Sequence, residues 1–348
     1  EQTMQKGMEI KKNKHFEHIR AFSVLAVITI HTMYSALLQF GEGALVAEKI
    51  LYRCVMNMMW WAVPCFLMMT GSLLLDSNRK VPLKKLYRKY ILRMLLVLLI
   101  FGGAFSWMEL FFDSRILELR QILQVAYNVL TGNTWAHMWY IYCLLGLYVL
   151  LPMYKIFADY ASDEQLKYIL AILFLFESIF RLLKLLEINL GFYCHINTIY
   201  PFWLLMGAAW NRGMFKYDKK INIALVMVSS GILIFTTVLW EGFGVPLSSL
   251  FGYDSVLVVI QSIGLFVLFN SMNIENKLDQ VLSEIGEKSF GIYLIHMVII
   301  NLAYKLFKFN PFTVSFAMGG MILVIVNLAL SYMMVTIMKY LPGIKKII

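Results

Sequence analysis

The strongest constraint in this sequence is a series of apolar segments, each about as long as a helix that crosses a membrane. A spanning helix needs roughly 20 mostly apolar residues. Ten segments qualify approximately: 18–40, 52–75, 90–112, 137–157, 165–185, 196–212, 221–240, 252–272, 287–307 and 314–338. We therefore expect an all-α integral membrane protein with about ten transmembrane helices, forming one membrane domain over residues 1–348 without a soluble domain.

The composition agrees with a membrane protein. Hydrophobic residues make up 60% of the chain and charged residues only 15%, against roughly 45–50% and about 25% in soluble domains. The formal net charge is nevertheless +10. Most of the Lys and Arg residues fall on one side if the N-terminus is cytoplasmic, so the positive-inside rule predicts an N-in, C-in topology. We therefore expect a multi-pass protein of the cytoplasmic membrane, with lipid rather than nucleic acid as its partner.

The scarce charges inside the apolar segments are the first candidates for function, because an ionisable residue within a membrane is costly. Arg20 and His31 lie eleven residues apart in the first segment. At about 100° per residue this spacing is only about 20° from three full turns, so the two side chains share a helix face about 16 Å apart. One face thus carries a cation at the membrane rim and a titratable base near mid-bilayer.

A run of cations precedes and enters the third segment. It contains Arg79, Lys80, Lys84, Lys85, Arg88, Lys89 and Arg93. We interpret Lys84, Lys85, Arg88, Lys89 and Arg93 as a clamp for a phosphate-bearing ligand at a cytoplasmic mouth. The alternative is a topology determinant that is attracted to anionic lipid.

Aromatic and polar residues at the start of the fourth segment are candidates for the opposite, outer face. His137, Trp139 and Tyr140 could bind a substrate by stacking and hydrogen bonding, although Trp and Tyr are also ordinary interface anchors. The preceding segment 114–133 has an amphipathic pattern that predicts a helix in the outer interface. This helix could shape that substrate site or be a simple connector.

The remaining intramembrane polar residues have less specific patterns. Glu177 is a further candidate for substrate binding, although with Arg181 four residues later it could form a satisfied buried pair. Glu109, Asp254 and His296 could each assist or simply pack. The four cysteines occur singly, and no His or Cys cluster has zinc-ligand spacing, so we expect no metal.

Several segments together resemble the membrane acyltransferase 3 family. They are Arg20-x10-His31, PCFLMMTGSLLL after it, the cationic entry to the third helix, HMWYIYCLLGLYVLLP at 137–152, FWLLMGAAWNRG at 202–213 and SFGIYLIH at 289–296. Members of this family O-acylate extracytoplasmic sugars and peptidoglycan with acyl groups from cytoplasmic acyl-CoA. The resemblance implies that His31 is the catalytic histidine and that Arg20 is its partner on the donor side.

Two positions depart from the family pattern. Tyr90 stands where many members carry the first arginine of an Arg-x-x-Arg pair, so Arg88 or Lys89 would have to reach the donor instead. Leu144 and Leu145 stand in a region where many members carry paired carboxylates, so no carboxylate role can be transferred there.

The resemblance and the residues together predict the function. We expect transfer of an acyl group, an acetyl group in the first instance, from acyl-CoA to a hydroxyl of a cell-envelope glycan or peptidoglycan-type acceptor. His31 would act as a general base or as an acyl relay, at a site open to both membrane faces. The alternative is a multi-pass transporter or flippase for an anionic or lipid-linked substrate.

Overall fold

The computed structural model describes residues 2–114, 121–188, 198–214, 218–314 and 318–348, and over these residues it is helical without strands. The helices are α1 (Gln2–Phe40), α2 (Val46–Asn57), α3 (Ala62–Leu74), α4 (83–114), α5 (Gln121–Thr131), α6 (Trp139–Val149), α7 (Leu151–Tyr160), α8 (Asp163–Phe174), α9 (Tyr200–Asn211), α10 (Lys219–Phe243), α11 (Val256–Ser271), α12 (Asn276–Asn301) and α13 (Met318–Met338). The expected all-α class is confirmed for this part of the chain.

Six helical stretches of the described chain are long and apolar enough to cross a membrane, and they coincide with six of the ten predicted spans. The predicted fourth span, 137–157, is the pair α6 and α7, which is bent by 56°. Pro152 stands in the first turn of α7, where its ring and missing N–H interrupt the helix. If the bent pair is one crossing, the described residues contain seven candidate crossings by length and composition.

The other three predicted spans contain shorter helices. Helix α8 has 12 residues and continues through the π-helical segment Leu175–Ile179 and the turn Phe180–Leu182, which carry the charged Glu177 and Arg181. Helix α9 has 12 residues and α11 has 16. A straight helix needs about 20 residues to cross the hydrocarbon core. Judged by helix length and composition, the described residues therefore contain fewer candidate crossings than the ten that we predicted. The N-in, C-in topology stays a prediction.

The spanning helices divide into a central and a peripheral set. In the most apolar window of the 276–306 span 67% of the residues are buried, against 22% in α10 and 28% in α13. Helix α12 packs closely against α1, since a Cβ atom added to Gly286 would lie 2.2 Å from the backbone oxygen of Glu17. This approach places Arg20 and His31 of α1 beside the second half of α12.

Helices α3 and α9 also approach each other through glycines. A Cβ at Gly71 would lie 1.9 Å from the backbone oxygen of Leu204, and one at Gly207 would lie 2.0 Å from that of Met68. Small residues at helix interfaces let backbones approach closely in membranes. The contact is further fixed by Ser72, whose hydroxyl donates to Asn211 Oδ1 at 2.6 Å.

The predicted amphipathic helix is present as α5. The apolar residues of the amphipathic pattern recur at positions 116, 119, 123, 126 and 130. Leu123, Ala126 and Leu130 are exposed, and residues 116 and 119 lie outside the described residues. The helix packs against α4 through Val129, which is buried. The exposed apolar stripe suits a helix that faces lipid at the membrane surface.

Candidate active site

Three histidines from distant parts of the sequence meet inside the molecule, and we call them the histidine cluster. The ring centroids of His31 on α1 and His296 on α12 are 5.0 Å apart. His137, in the short turn Ala136–Met138 that precedes α6, lies 5.3 Å from His296 and 6.3 Å from His31. His137 and His296 are fully buried, whereas His31 is partly exposed. Within the described residues, no three His, Cys, Asp or Glu side chains are arranged to hold a metal ion.

Hydrogen bonds join two members of the cluster to each other and to the backbone. Nε2 of His296 lies 3.0 Å from Nδ1 of His31. Nδ1 of His296 lies 2.5 Å from the carbonyl oxygen of Tyr293, one turn earlier in α12. The side-chain amide of Asn327, on α13, donates to the carbonyl oxygen of His296 at 3.1 Å. Hydrogen bonds therefore fix both the side chain and the backbone of His296.

A cavity of about 860 Å³ opens beside His31, and we call it the large cavity. Its walls carry aromatic side chains, among them Tyr34, Trp60, Trp135, Trp139, Trp240 and Tyr253. They also carry side-chain amides, from Gln39, Asn57, Asn128, Asn133 and Asn301. Flat apolar rings combined with amide donors and acceptors can hold a molecule that has both apolar faces and hydroxyl groups.

The cations that line the large cavity have acidic partners among the described residues. Lys305 Nζ lies 2.5 Å from Oε1 of Glu109, whose other oxygen accepts from Trp135 Nε1 at 2.7 Å. Arg53 Nε lies 2.9 Å from Oε1 of Glu241. Since each positive charge is balanced in place, the described lining favours an uncharged ligand over a strongly anionic one.

A second cavity, of about 270 Å³, lies farther toward the N-terminal end of α1, and we call it the small cavity. Arg20 and Arg93 both line it, as do Thr70, Tyr148 and Ser289. Glu287 lines it as well, so two guanidinium groups, three hydroxyls and one carboxylate surround a small space that suits a strongly polar group.

Both arginines of the small cavity are held in place. Arg20 is paired with Glu17, three residues earlier on α1. Arg93 donates from Nε to the carbonyl oxygen of Ile347 at 2.7 Å, and its guanidinium lies over the ring of Phe290, 4.7 Å from the centroid. Just beyond α13, burial and the neighbouring charge of Lys288 lower the pKa of Lys339, as expected where positive charges crowd together.

Two tyrosines stand between the small cavity and the histidine cluster. Tyr140 and Tyr293 both line the small cavity, and their rings meet edge to face with centroids 5.6 Å apart. The ring of Tyr293 also lies 5.7 Å from that of His137 and 5.8 Å from that of His296. The large and the small cavity therefore lie at different positions along α1, with the tyrosines and the histidine cluster between them.

The structure brings together some of the predicted site residues and separates others. Arg20 and Arg93 share the small cavity, and Trp139 lines the large cavity with His31. The cations Lys84, Lys85, Arg88 and Lys89 do not line the small cavity, and their side chains are exposed on the first turns of α4.

The turn before α6 directs His137 into the interior, where it is fully buried, and its expected role in acceptor binding stays a prediction. Tyr140, one helical turn later, lines the small cavity instead of the large one. The alternative in which Glu177 pairs with Arg181 is not found among the described residues, and the role of Glu177 in substrate binding stays a prediction. Arg181 is ion-paired with Asp254 and donates to the backbone of the 249–251 segment.

Sequence reasoning did not identify the contact between His31 and His296, which are 265 residues apart. His296 is the last residue of the SFGIYLIH segment. Its position inside an apolar segment marked it as a candidate, but the sequence did not indicate which residue it contacts. Nothing in the sequence except its aromatic side chain indicated a role for Tyr293, three residues earlier.

Apolar helices surrounding a buried histidine cluster and two internal cavities define a multi-pass membrane protein with an interior polar site. Comparison with known protein families identifies which kind of membrane protein this is. The model of the acyltransferase 3 family, described as an acyltransferase domain, matches residues 13–336. The chain belongs to this family and is an acyltransferase. No curated protein and no solved structure shows significant similarity to it.

Proposed function

We propose that the protein transfers an acyl group, most simply acetyl, from cytoplasmic acyl-CoA to a hydroxyl of an extracytoplasmic cell-envelope glycan. The observation that carries the proposal is the position of His31, at the wall of the large cavity and on the same helix as Arg20 of the small cavity. This arrangement gives donor and acceptor separate approaches to one base. The family match supports group transfer over transport.

The donor would be held at the small cavity. Its volume of about 270 Å³ is below the usual range for a complete drug-sized ligand, about 300–1,000 Å³, so only part of acyl-CoA would enter it. Arg20 and Arg93 would bind an anionic or carbonyl group there. The exposed cations Lys84, Lys85, Arg88 and Lys89 would bind the remaining phosphates outside, as point charges and forked donors.

The acceptor would be held in the large cavity. Trp139 and its aromatic neighbours offer faces for sugar rings, and the amide side chains offer hydrogen bonds for hydroxyls. The balanced pairs Lys305 with Glu109 and Arg53 with Glu241 favour an uncharged region of the glycan. A general acid is less important than a base in this reaction, because the thioester leaves as a stabilised thiolate.

Two chemical routes use the same base. In the direct route His31 takes the hydroxyl proton while the hydroxyl oxygen bonds to the thioester carbon and the C–S bond breaks. In the relay route an unprotonated nitrogen of His31 bonds to the thioester carbon and CoA leaves as its thiolate. The acceptor hydroxyl oxygen then bonds to the acyl carbon, the bond from that carbon to the imidazole nitrogen breaks, and the hydroxyl proton passes to the freed nitrogen. Both routes require a neutral imidazole with a free nitrogen.

The reaction is tested with purified protein in detergent and labelled acetyl-CoA, by following CoA release with and without a panel of glycan acceptors. We expect His31→Ala to reduce the rate by at least about 100-fold, the usual contribution of a general base. The proposal fails if no CoA is released under any condition and His31→Ala is indistinguishable from the unaltered protein.

Donor binding is tested separately from turnover. We expect Arg20→Ala and Arg93→Ala to weaken acetyl-CoA binding by about 10- to 100-fold, since a charge-assisted hydrogen bond contributes about 1.5–3 kcal/mol. His31→Ala is expected to weaken it much less. Lys167→Ala removes an exposed cation from α8 and is the control. Equal affinity in all of these proteins would contradict the assignment of the small cavity to the donor.

A further inference from the structure

The two ring nitrogens of His296 have partners of different character. Nδ1 lies 2.5 Å from the carbonyl oxygen of Tyr293, and a carbonyl oxygen can only accept a hydrogen bond. Nδ1 of His296 therefore carries a proton. Nε2, on the opposite side of the ring, lies 3.0 Å from Nδ1 of His31.

The protonation of His296 constrains that of His31, whose ring also has the backbone of Val27, one turn earlier in α1, as a hydrogen-bond partner. The His296 ring is fully buried against Tyr293 and His137, where an imidazolium without a counter-ion would be costly. In the neutral ring with its proton on Nδ1, Nε2 is an acceptor. Nδ1 of His31 must then be the donor, and Nε2 of a neutral His31 has no proton.

We propose that His296 is a positioning residue that holds His31 in the tautomer with an unprotonated Nε2. The proposal rests on the proposed function, in which His31 reacts through a free ring nitrogen. The tautomer of a histidine is set by the hydrogen bond that its other nitrogen makes. Free histidine favours the opposite tautomer, with the proton on Nε2, so His31 needs such a partner to be ready for reaction.

The same contact assists each route of the reaction. When Nε2 of His31 takes a proton from the acceptor hydroxyl, the ring becomes an imidazolium whose Nδ1–H still donates to His296. That hydrogen bond is then charge-assisted and stronger. When Nε2 takes the acyl group instead, the acyl-imidazolium has the same Nδ1–H and the same partner. His296 thus stabilises positive charge on His31 without touching either substrate.

The backbone around His296 is fixed on two sides. Asn327 Nδ2 donates to the His296 carbonyl oxygen at 3.1 Å, and Ser331 Oγ donates to Asn327 Oδ1 at 2.9 Å. The hydroxyl of Tyr293 donates to the carbonyl oxygen of His137. These bonds tie α12 to α13 and to the turn before α6, which keeps the His296 ring aligned with His31.

The tautomer is measured directly by ¹⁵N NMR of the full chain, labelled with ¹⁵N-histidine and purified in detergent. The chain has only six histidines, and His31→Ala identifies the His31 signals by difference. At pH 8 we expect His31 to show a protonated Nδ1 and an unprotonated Nε2. In His296→Leu we expect the proton to move to Nε2 in most molecules. A protonated Nε2 in the unaltered protein, or no change in His296→Leu, would overturn the proposal.

A conservative variant separates positioning from folding. The side-chain amide oxygen of His296→Gln can accept from His31 where Nε2 did, so this variant should keep the His31 tautomer. His18→Gln removes another buried histidine of α1, which is bonded to Asp279 rather than to the cluster, and is the matched control. Loss of the tautomer in His296→Gln and His18→Gln alike would indicate a general packing effect and would contradict the proposal.

The kinetic consequence is a fall in turnover without a fall in donor affinity. For His296→Leu we expect kcat for CoA release to fall about 10- to 100-fold, as for partners that orient a reactive group, with KM for acetyl-CoA within about twofold. His296→Gln should recover most of kcat. If His31→Ala retains full activity, the proposed function is wrong; if His31→Ala is inactive but His296→Leu keeps the normal kcat, the positioning role alone is wrong.

Discussion

At the scale of single residues, the ion pair of Glu109 and Lys305 joins α4 to the end of α12 inside the large cavity. The two residues are 196 positions apart, and Lys305 lies in the π-helical segment Leu302–Leu306 that continues α12. Both side chains are only partly exposed, at 38% and 26%. Removal of either partner leaves the other charge incompletely solvated, which costs more than removal of both.

This argument predicts a non-additive double-mutant cycle. We expect Glu109→Gln and Lys305→Met each to lower Tm, and the double variant to be more stable than the sum of the two effects predicts. The coupling should be about 0.5–3 kcal/mol, the range for residues in contact. Thermal unfolding of the four proteins in detergent measures it. Lys167→Met combined with Glu109→Gln is the control and should be additive; additivity in the Lys305 cycle would contradict the pairing.

Residue spacing predicted part of the site and missed the rest for a physical reason. Arg20 and His31 could be placed on one face because helix periodicity relates residues within one helix. The contact between His31 and His296 depends on how α1 packs against α12, and no local pattern encodes that. The burial of His137 depends on the short turn before α6, and no local pattern in the sequence indicates that turn.

At the scale of helices, apolar runs located the elements but not their breaks. Each of the ten predicted spans contains a helix, yet α8, α9 and α11 are short and α6 is separated from α7 by a bend. An apolar run has the same composition whether it spans lipid or is enclosed by other helices. The close packing of α3 and α9 depends on Gly71 and Gly207, whose partners lie more than one hundred residues away.

Because α3 and α9 are in close contact, we expect a glycine-to-alanine substitution between them to lower the stability of the protein strongly. A Cβ at Gly207 would lie 2.0 Å from Met68 O and 2.4 Å from Ser72 N, and backbone atoms cannot rotate away as side chains do. We expect Gly207→Ala to destabilise the protein by at least about 3 kcal/mol, the upper part of the range for overpacking. Gly231→Ala is the matched control, because nothing lies within 4 Å of a Cβ there.

Thermostability in detergent, followed by size-exclusion chromatography at rising temperature, compares the two variants. Gly231→Ala should be neutral or stabilising by up to about 1 kcal/mol, the propensity difference within a helix. A Gly207→Ala protein as stable as Gly231→Ala would show that the two helices are not in direct backbone contact.

At the scale of the whole molecule, the first part of α1 and the C-terminal residues lie at the same end of the structure. Lys14, near the start of α1, is bonded to Asp279 at the start of α12 at 2.8 Å. Arg93 is bonded to Ile347 near the C-terminus and shares the small cavity with Arg20. The large cavity lies beside the opposite half of α1, from residue 30 onward. The charge pattern predicts that both ends of the chain lie on the cytoplasmic side of the membrane, and this topology stays a prediction.

The topology prediction can be tested with single cysteines in a variant from which the four native cysteines have been replaced. We expect a membrane-impermeant maleimide to label Asn133→Cys in intact cells, because this exposed residue lies beside the large cavity. Lys345→Cys and Lys84→Cys, also exposed, should be labelled only after the membrane is permeabilised. Labelling of all three in intact cells, or the reverse pattern, would contradict the assignment of the small cavity to the cytoplasmic side. Acyl-CoA is a cytoplasmic molecule in the proposed reaction. That result would therefore also contradict the proposal that Arg20 and Arg93 bind the donor.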